Sequence, residues 1–326
     1  MGFRFRIGCD DWMNTYTIAF DVGGSFIKSV VLNQDGEVVL NTYAIFPSKA
    51  KESRENILEH LVFIIKEQTN RILDPNFKIM GVGYAFPGPF DYVNGISYIK
   101  DVDKFEQLYN VNLRQLLLSK LHNDLSFQAK IHNDFQIVFE NDASLFALGE
   151  QIAGNARSYR KSIFITIGTG AGSAFMENGR LIKNRYDVPD NGWIYNLPFK
   201  NSIVDDYISK RGIIRLAKNL DITMADNEIK ALAEMAQSGN AKARKVFYQF
   251  GKNIGEVLNS HIHAFKPDAI IFGGQIAKSK ALFIKGILEV LEDKAVHIES
   301  SLGNSFHTFI GISNLLRQTS HPSETS

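Results

Sequence analysis

From Tyr16 to Val22 the chain is apolar and β-rich; it breaks at Gly23-Gly24-Ser25 and resumes as a second β-branched run from Phe26 to Val31. This pattern predicts a hairpin, because glycine tolerates positive φ and lets another group approach the bare backbone. The pattern recurs about half a chain later, with Ile163 to Ile167, the turn Gly168-Thr169-Gly170, and a strand from Ala171 to Phe175. Two strand–turn–strand units so far apart predict two related α/β domains.

Between the hairpins, Val38 to Phe46 reads as a third strand. Apolar spacing at Ile57, Leu58, Leu61, Val62, Ile64 and Ile65 predicts a helix over Glu52 to Arg71. Lys78 to Phe86 reads as a buried strand running into Pro87-Gly88-Pro89, Leu113 to Leu121 as a helix and Gln136 to Phe139 as a strand. A helix from Ala143 to Ile152 follows, with Asn141 or Asp142 as its N-cap. The polar stretch Ala153 to Lys161 is where a domain boundary is expected. This gives an extension over residues 1–14, a first domain over 15–153, a second over 154–305 and a frayed tail over 318–326. In the second domain, helices are expected at Ile203–Lys218, Asp226–Gln237 and Asn240–Phe265. Gly251 and Gly255 lie beside the last helix's apolar stripe, where close packing would offset their helix cost. A strand at Ala269–Phe272, the pair Gly273-Gly274, a helix to about Leu291, a strand near Val296 and a helix from Thr308 to Arg317 complete the pattern.

Composition narrows the class. The 326 residues suffice for two domains, and 44% hydrophobic with 22% charged residues describe a soluble globular chain. A net charge of +1 with no dense Lys/Arg block leaves no large electrostatic footprint for nucleic acid. One cysteine, Cys9, precludes an internal disulfide and fits a reducing cytosol. No apolar run approaches the ~18 residues of a membrane span, and the first twelve residues, with Arg4, Arg6, Asp10 and Asp11, are no signal peptide. A cytoplasmic protein without membrane or nucleic-acid partners is therefore expected.

The chemistry sits at the turns. Successive N–H groups of a glycine turn can form an anion-binding concavity, and Asp21 at the strand end could face a metal–phosphate complex directly or through water. On residues alone, each turn is equally a plain turn, and Asp142 is a plain helix cap. There is no G-x-x-x-x-G-K-[ST] loop, and Gly81-Val82-Gly83 lacks the third glycine of a dinucleotide fingerprint. The eight His are scattered and one Cys is present, so no structural zinc is expected.

Five segments in order resemble one family. They are Asp21-Val22-Gly23-Gly24-Ser25-Phe26-Ile27-Lys28; Phe86-Pro87-Gly88-Pro89-Phe90-Asp91; Glu140-Asn141-Asp142-Ala143 with Ala147-Leu148-Gly149-Glu150; Gly168-Thr169-Gly170-Ala171-Gly172 with Asn178-Gly179-Arg180-Leu181; and Phe272-Gly273-Gly274. From about Thr15 to Leu316 the chain is similar to the ROK family of bacterial sugar kinases and sugar-responsive repressors. The resemblance implies an α/β, two-domain actin/Hsp70/hexokinase-like (ribonuclease H-like) fold. A cleft would lie between the duplicated domains, with Asp21 and Gly168 facing each other, and the helix over 308–317 would return to the first domain. It implies ATP- and Mg²⁺-dependent phosphorylation of a hydroxyl on a hexose or hexose derivative.

The roles implied are these. Asp142 is the general base, and Gly88, Asn141 and Asp142 bind the sugar. Asp21, Gly23, Gly24, Ser25 and Lys28 form the first phosphate turn, Asp21 lying near Mg²⁺, directly or through water. Gly168, Thr169 and Gly170 form the second phosphate turn, and Gly273 with Gly274 the wall beside the nucleoside. Homodimers are common in the family, so a homodimer is expected.

Three departures affect the sugar side. The family's G-E-x-G-H reads here as Gly192-Trp193-Ile194-Tyr195-Asn196, placing Trp193 at the Glu and Asn196 at the His. The Cys-rich zinc loop is missing. Asp205 stands at the Glu of the L-E-x-x-x-S segment. Trp193 is then either a core aromatic or a ligand contact. A sugar kinase is the leading expectation, and a catalytically weak or inactive sugar- or nucleotide-binding protein the alternative. A repressor would need a DNA-binding segment, which the twenty residues before Asp21 cannot hold.

Overall fold

The computed structural model describes residues 13–101, 103–223, 228–301 and 306–320. One compact unit takes the described residues up to Leu145 and those from Thr308 onward; the other runs from Phe146 to His307.

The first unit opens with strands β1 (Asn14–Val22), β2 (Phe26–Leu32) and β3 (Ala44–Pro47), helix α1 (Arg54–Asn70) and strand β4 (Phe77–Ala85). A small three-stranded sheet follows, of β5 (Phe90–Asp91), β6 (Ile96–Ser97) and β7 (Val111–Asn112). Helices α2 (Leu113–His122) and α3 (Leu125–Gln128), strand β8 (Ile131–Glu140) and the start of helix α4 (Asp142–Ala153) complete this stretch. The main sheet has the order β3-β2-β1-β4-β8. Strands β1 and β2 form the expected antiparallel hairpin, whereas β1, β4 and β8 run parallel. Register pairs Asp21 with Ala85 and Ala85 with Glu140, so three parallel strands end side by side.

Helix α1 buries the predicted apolar positions Ile57, Leu58, Leu61, Ile64 and Ile65, and Ser53 caps it by accepting from the Asn56 N–H at 3.3 Å. The last helix, called α10 below, packs directly on β4. A methyl group on Gly83 would lie 2.1 Å from Ile312 Cγ2, and one on Gly81 2.7 Å from Leu316 Cδ2. The two glycines of Gly81-Val82-Gly83 thus make room for a helix.

The second unit holds β9 (Lys161–Ile167), β10 (Ala171–Glu177), β11 (Arg180–Leu181), β12 (Pro198–Phe199), β13 (Ser202–Ile203), α5 (Asp205–Ile208) and α6 (Lys210–Lys218). It continues with α7 (Ile229–Gln237), α8 (Ala241–Phe265), β14 (Ala269–Gly273), α9 (Lys280–Val290) and β15 (His297–Ser300); α10 (Phe306–Ser320) then follows. Its sheet order is β11-β10-β9-β14-β15, again an antiparallel hairpin extended by parallel strands. Helices α8 and α9 meet at Gly251, where a methyl group would lie 2.0 Å from the Phe283 carbonyl oxygen. Phe247, Phe250, Phe272 and Phe283 are fully buried in the core of this unit.

Four expectations change. The third strand is only Ala44–Pro47, because turns around Leu40 and Asn41 interrupt Val38–Phe46 and leave Val38 a single bridge to Leu32. The helix expected over Ile203–Lys218 splits at Ser209, whose backbone is extended (φ −114°, ψ −174°) and whose hydroxyl donates to the Asp205 carbonyl at 2.6 Å. The units divide at Leu145/Phe146, inside α4, where the expected boundary followed Ala153. Helix α10 runs on to Ser320, through the first residues of the expected tail. Residues 1–12 of the expected extension, Asp226 at the expected start of α7 and residues 321–326 of the expected tail lie outside the described residues.

Candidate active site

In the first unit the predicted residues gather where β1, β4 and β8 end. Ligands bind beyond the carboxyl ends of parallel strands because the chain turns away there and leaves a crevice. Asp21 is the next-to-last residue of β1, Gly88 follows β4, and Asn141 and Asp142 follow β8. The turn after β1 is held by its own backbone. Gly23 N–H donates to the Phe26 carbonyl at 2.9 Å, and Ser48 donates to the turn twice, from its N–H to the Ser25 carbonyl (3.0 Å) and from its hydroxyl to the Gly24 carbonyl (2.5 Å). Gly24 and Ser25 stay exposed. Lys28 Nζ lies 2.9 Å from Asp21 Oδ2, so the turn's own lysine is paired with the aspartate.

Asn141 and Asp142 share the start of α4. The Ala143 N–H donates to Asn141 Oδ1 at 2.9 Å, which makes Asn141 the N-cap, and to Asp142 Oδ1 at 2.8 Å, Asp142 being the first helical residue. Asp142 reaches solvent, yet the protein around it displaces enough water to raise its pKa above the usual carboxylate value. The Ala143 N–H opposes that shift, the Asp21 charge adds to it, and the Lys104 ammonium again opposes it. At Gly88 an added methyl group would lie 3.4 Å from Tyr92 Oη, and the Tyr92 hydroxyl donates to the Phe86 carbonyl at 2.9 Å.

In the second unit the two glycine turns sit at the ends of neighbouring parallel strands, β9 and β14, which pair Thr166 with Gly273. Gly168 N–H donates to the Gly170 carbonyl at 2.9 Å, and the Lys210 N–H at the start of α6 donates to the Gly168 carbonyl at 3.0 Å. Thr169 and Gly170 are exposed. Gly274 has φ +87°, and a side chain there would meet the Ile167 carbonyl at 2.4 Å, so this turn requires glycine twice over.

The sugar-side residues are divided. Asp205, expected on the sugar, is buried and engaged on the second glycine turn: its Oδ1 accepts from the Ala171 N–H at 2.6 Å, and its Oδ2 pairs with the Arg211 guanidinium. The break at Ser209 is what brings Asp205 and Arg211 together. Trp193 is half-buried with its ring 6.0 Å from Tyr195, and Asn196 is exposed. Two residues escaped the sequence reading, Lys104 and Arg211. Lys104 lies in a segment without a motif and Arg211 just beyond one, and only the fold gives each its carboxylate neighbour.

Among the described residues, no group of three or more His, Cys, Asp or Glu is placed to hold a metal ion. Mg²⁺ needs no such group, since it takes one or two carboxylates and fills its remaining positions with water and phosphate oxygens. No described helix is long and apolar enough to cross a membrane.

The model of the ROK family matches residues 17–303. The xylose repressor of Bacillus subtilis (strain 168) is 21% identical over 299 residues, covering 89% of this chain and 71% of that protein. The glucokinase of Halalkalibacterium halodurans is 22% identical over 301 residues, covering 86% of each. The crystal structure of a ROK family glucokinase from Streptomyces griseus in complex with glucose and AMPPNP matches with a TM-score of 0.67 at 19% identity, covering 93% of this chain and 99% of that one. That likeness shows the α/β fold of the hexokinase-like sugar kinases.

Proposed function

Because the chain belongs to the ROK family, we propose that it transfers the γ-phosphoryl group of ATP to a hydroxyl of a hexose or hexose derivative. Asp142 acts as the general base. The observation that carries this reading is the set at the carboxyl edge of β1, β4 and β8: an aspartate at the helix start, a second aspartate at the end of β1, and an exposed glycine turn.

Phosphoryl transfer asks little covalent chemistry of a protein; it asks for positioning and charge neutralisation. Ionised Asp142 takes the proton of the attacking hydroxyl as its oxygen bonds to the γ-phosphorus and the bond to the bridging oxygen of ADP breaks. Gly24 and Ser25 offer backbone N–H groups to phosphate oxygens, as do Thr169 and Gly170, while the Gly23 and Gly168 N–H groups hold the two turns closed and Gly273 and Gly274 let the nucleoside approach bare backbone. Asn141 and Gly88 contact the sugar. Asp21 would hold Mg²⁺ directly or through water, and the metal would supply charge neutralisation on the phosphates.

A coupled ADP-release screen across hexoses, amino sugars and glycosides, repeated with other nucleoside triphosphates, tests the reading. Saturable ADP release that depends on one sugar supports it. The second reading is sugar or nucleotide binding without turnover. It is favoured by the likeness to a xylose repressor and by Trp193 and Asn196 at two sugar-contact positions. Calorimetric binding of a sugar that never elicits ADP release would select it.

A further inference from the structure

Resting on that reading, we propose that Lys104 is the cation that meets the terminal phosphate of the bound nucleotide. The lysine of the first glycine turn, Lys28, is already paired with Asp21 at 2.9 Å. Lys104 is half-buried and makes no hydrogen bond or direct ion pair with a described residue. Its aliphatic stem lies across the bare backbone of the turn, where a methyl group added to Gly24 would come within 3.1 Å of Lys104 Cδ. Its ammonium is within electrostatic reach of Asp142. One side chain therefore extends from the turn that offers N–H groups to phosphate toward the carboxylate that receives the acceptor's proton. The transferring group travels that same path.

The backbone around Lys104 is built to hold it there. Both chain neighbours, Asp103 (φ 57°) and Phe105 (φ 56°), occupy the left-handed region, which non-glycine residues adopt at a cost and keep only where the surroundings enforce it. Phe105 supplies the enforcement: it is fully buried, its N–H donates to the Ala50 carbonyl at 2.6 Å, and its ring lies 5.3 Å from Phe86. Asp103 pairs with Lys51 on the surface. A strained stretch pinned beside a half-buried cation is the arrangement expected where a charge must be ready before the ligand arrives.

The test is calorimetric binding of Mg·AMPPNP and Mg·ADP to the wild type and to Lys104→Met and Lys104→Arg. A cation on the terminal phosphate predicts that Lys104→Met weakens AMPPNP binding about tenfold or more while ADP stays within about twofold, because a charge-assisted hydrogen bond is lost only to the longer nucleotide. Lys104→Arg should recover most of the loss. Gly24→Ala, which pushes the lysine stem off the turn, should act in the same direction as Lys104→Met. Equal losses for the two nucleotides, or none, overturn the proposal, as does a wild type that binds neither. A wild type that turns over no sugar but keeps the AMPPNP–ADP difference upholds Lys104 and sinks the kinase reading instead.

Discussion

The carboxylate of Asp205 accepts a hydrogen bond from the Ala171 N–H at 2.6 Å, on the residue that closes the second glycine turn. Arg211 pairs with the other oxygen of the same carboxylate. Asp205 therefore braces a turn, and removing it leaves a buried N–H without an acceptor. We predict that Asp205→Ala raises the KM for ATP by about tenfold or more, given the cost of an unpaired buried donor, and moves the sugar KM by less than about threefold. A change confined to the sugar KM would return Asp205 to the sugar.

The second prediction concerns Asp142. Asp142→Asn keeps the shape but removes the base, so kcat should fall by about 10² or more with both substrate affinities largely kept. Burial and then Asp21 raise this carboxyl's pKa against the pull of the Ala143 N–H and Lys104. The acidic limb of the kcat–pH profile should therefore lie above the ordinary aspartate range. The same shift has a stability consequence. A carboxyl whose folded pKa exceeds its unfolded value binds its proton more tightly when folded, so stability falls as pH rises between the two values. Asp142→Asn should thus melt at the wild-type temperature or higher at neutral pH, and lose that advantage in acid. A variant that turned over sugar at the wild-type rate would refute the base assignment.

What the sequence made legible were features written in consecutive residues. Both hairpins, the spacing of α1 and α8, and the strand–helix junction at Glu140-Asn141-Asp142 are local patterns, and each stands where it was expected. The break at Ser209 was not legible. The surrounding residues suit a helix, and the extended backbone at Ser209 comes with the Lys210 N–H bond to the Gly168 carbonyl, a contact distant in sequence that no local pattern marks. Lys104 was illegible for the same reason. Its meaning comes from Gly24 and Asp142, 80 and 38 positions away by residue number, and no periodicity marks it. Gly81-Val82-Gly83 resembled half a nucleotide motif, and the packing of Ile312 and Leu316 explains it.

A third prediction concerns stability. Glu150 is buried and accepts from His307 Nδ1 at 2.5 Å, from the Asn155 N–H at 3.1 Å and from the Ser301 hydroxyl. Burial alone would raise its pKa, but the hydrogen bonds from His307 and Ser301 and the His307 charge outweigh it, and the value falls below the usual one. A carboxylate with a depressed folded pKa contributes stability that is present above the ordinary glutamate value and lost as pH falls through the folded one. Removing the carboxylate leaves buried donors without an acceptor, at a cost of about 1–3 kcal/mol each. Glu150→Ala should therefore unfold at markedly lower denaturant at neutral pH, with the deficit to wild type shrinking in acid. Equal urea midpoints at pH 7 would show that the cluster carries no stability.

The last prediction concerns Trp193, which the family resemblance sets at the position of a glutamate. An indole there removes a charged acceptor for sugar hydroxyls and supplies a flat apolar face, and Tyr195 lies alongside with ring centroids 6.0 Å apart and planes tilted by 48°. A site that hydrogen-bonds a hydroxyl rejects ligands lacking it by large factors, whereas an apolar wall discriminates weakly and tolerates added groups. If the indole lines the sugar pocket, a substituted sugar whose aglycone stacks on the ring should be preferred to plain glucose or N-acetylmannosamine. The expected outcome is a kcat/KM for an aryl β-glucoside about tenfold above those of the two unsubstituted sugars, a difference of the size apolar contacts supply. Trp193→Glu should reverse that order, because the carboxylate restores the hydroxyl acceptor and removes the stacking face. Half-burial beside Tyr195 is equally what a packing aromatic shows, so the variant carries the decision. Wild type and Trp193→Glu ranking the three sugars identically, with the unsubstituted ones first, would make the indole structural and leave Asn196 to supply the missing sugar contact.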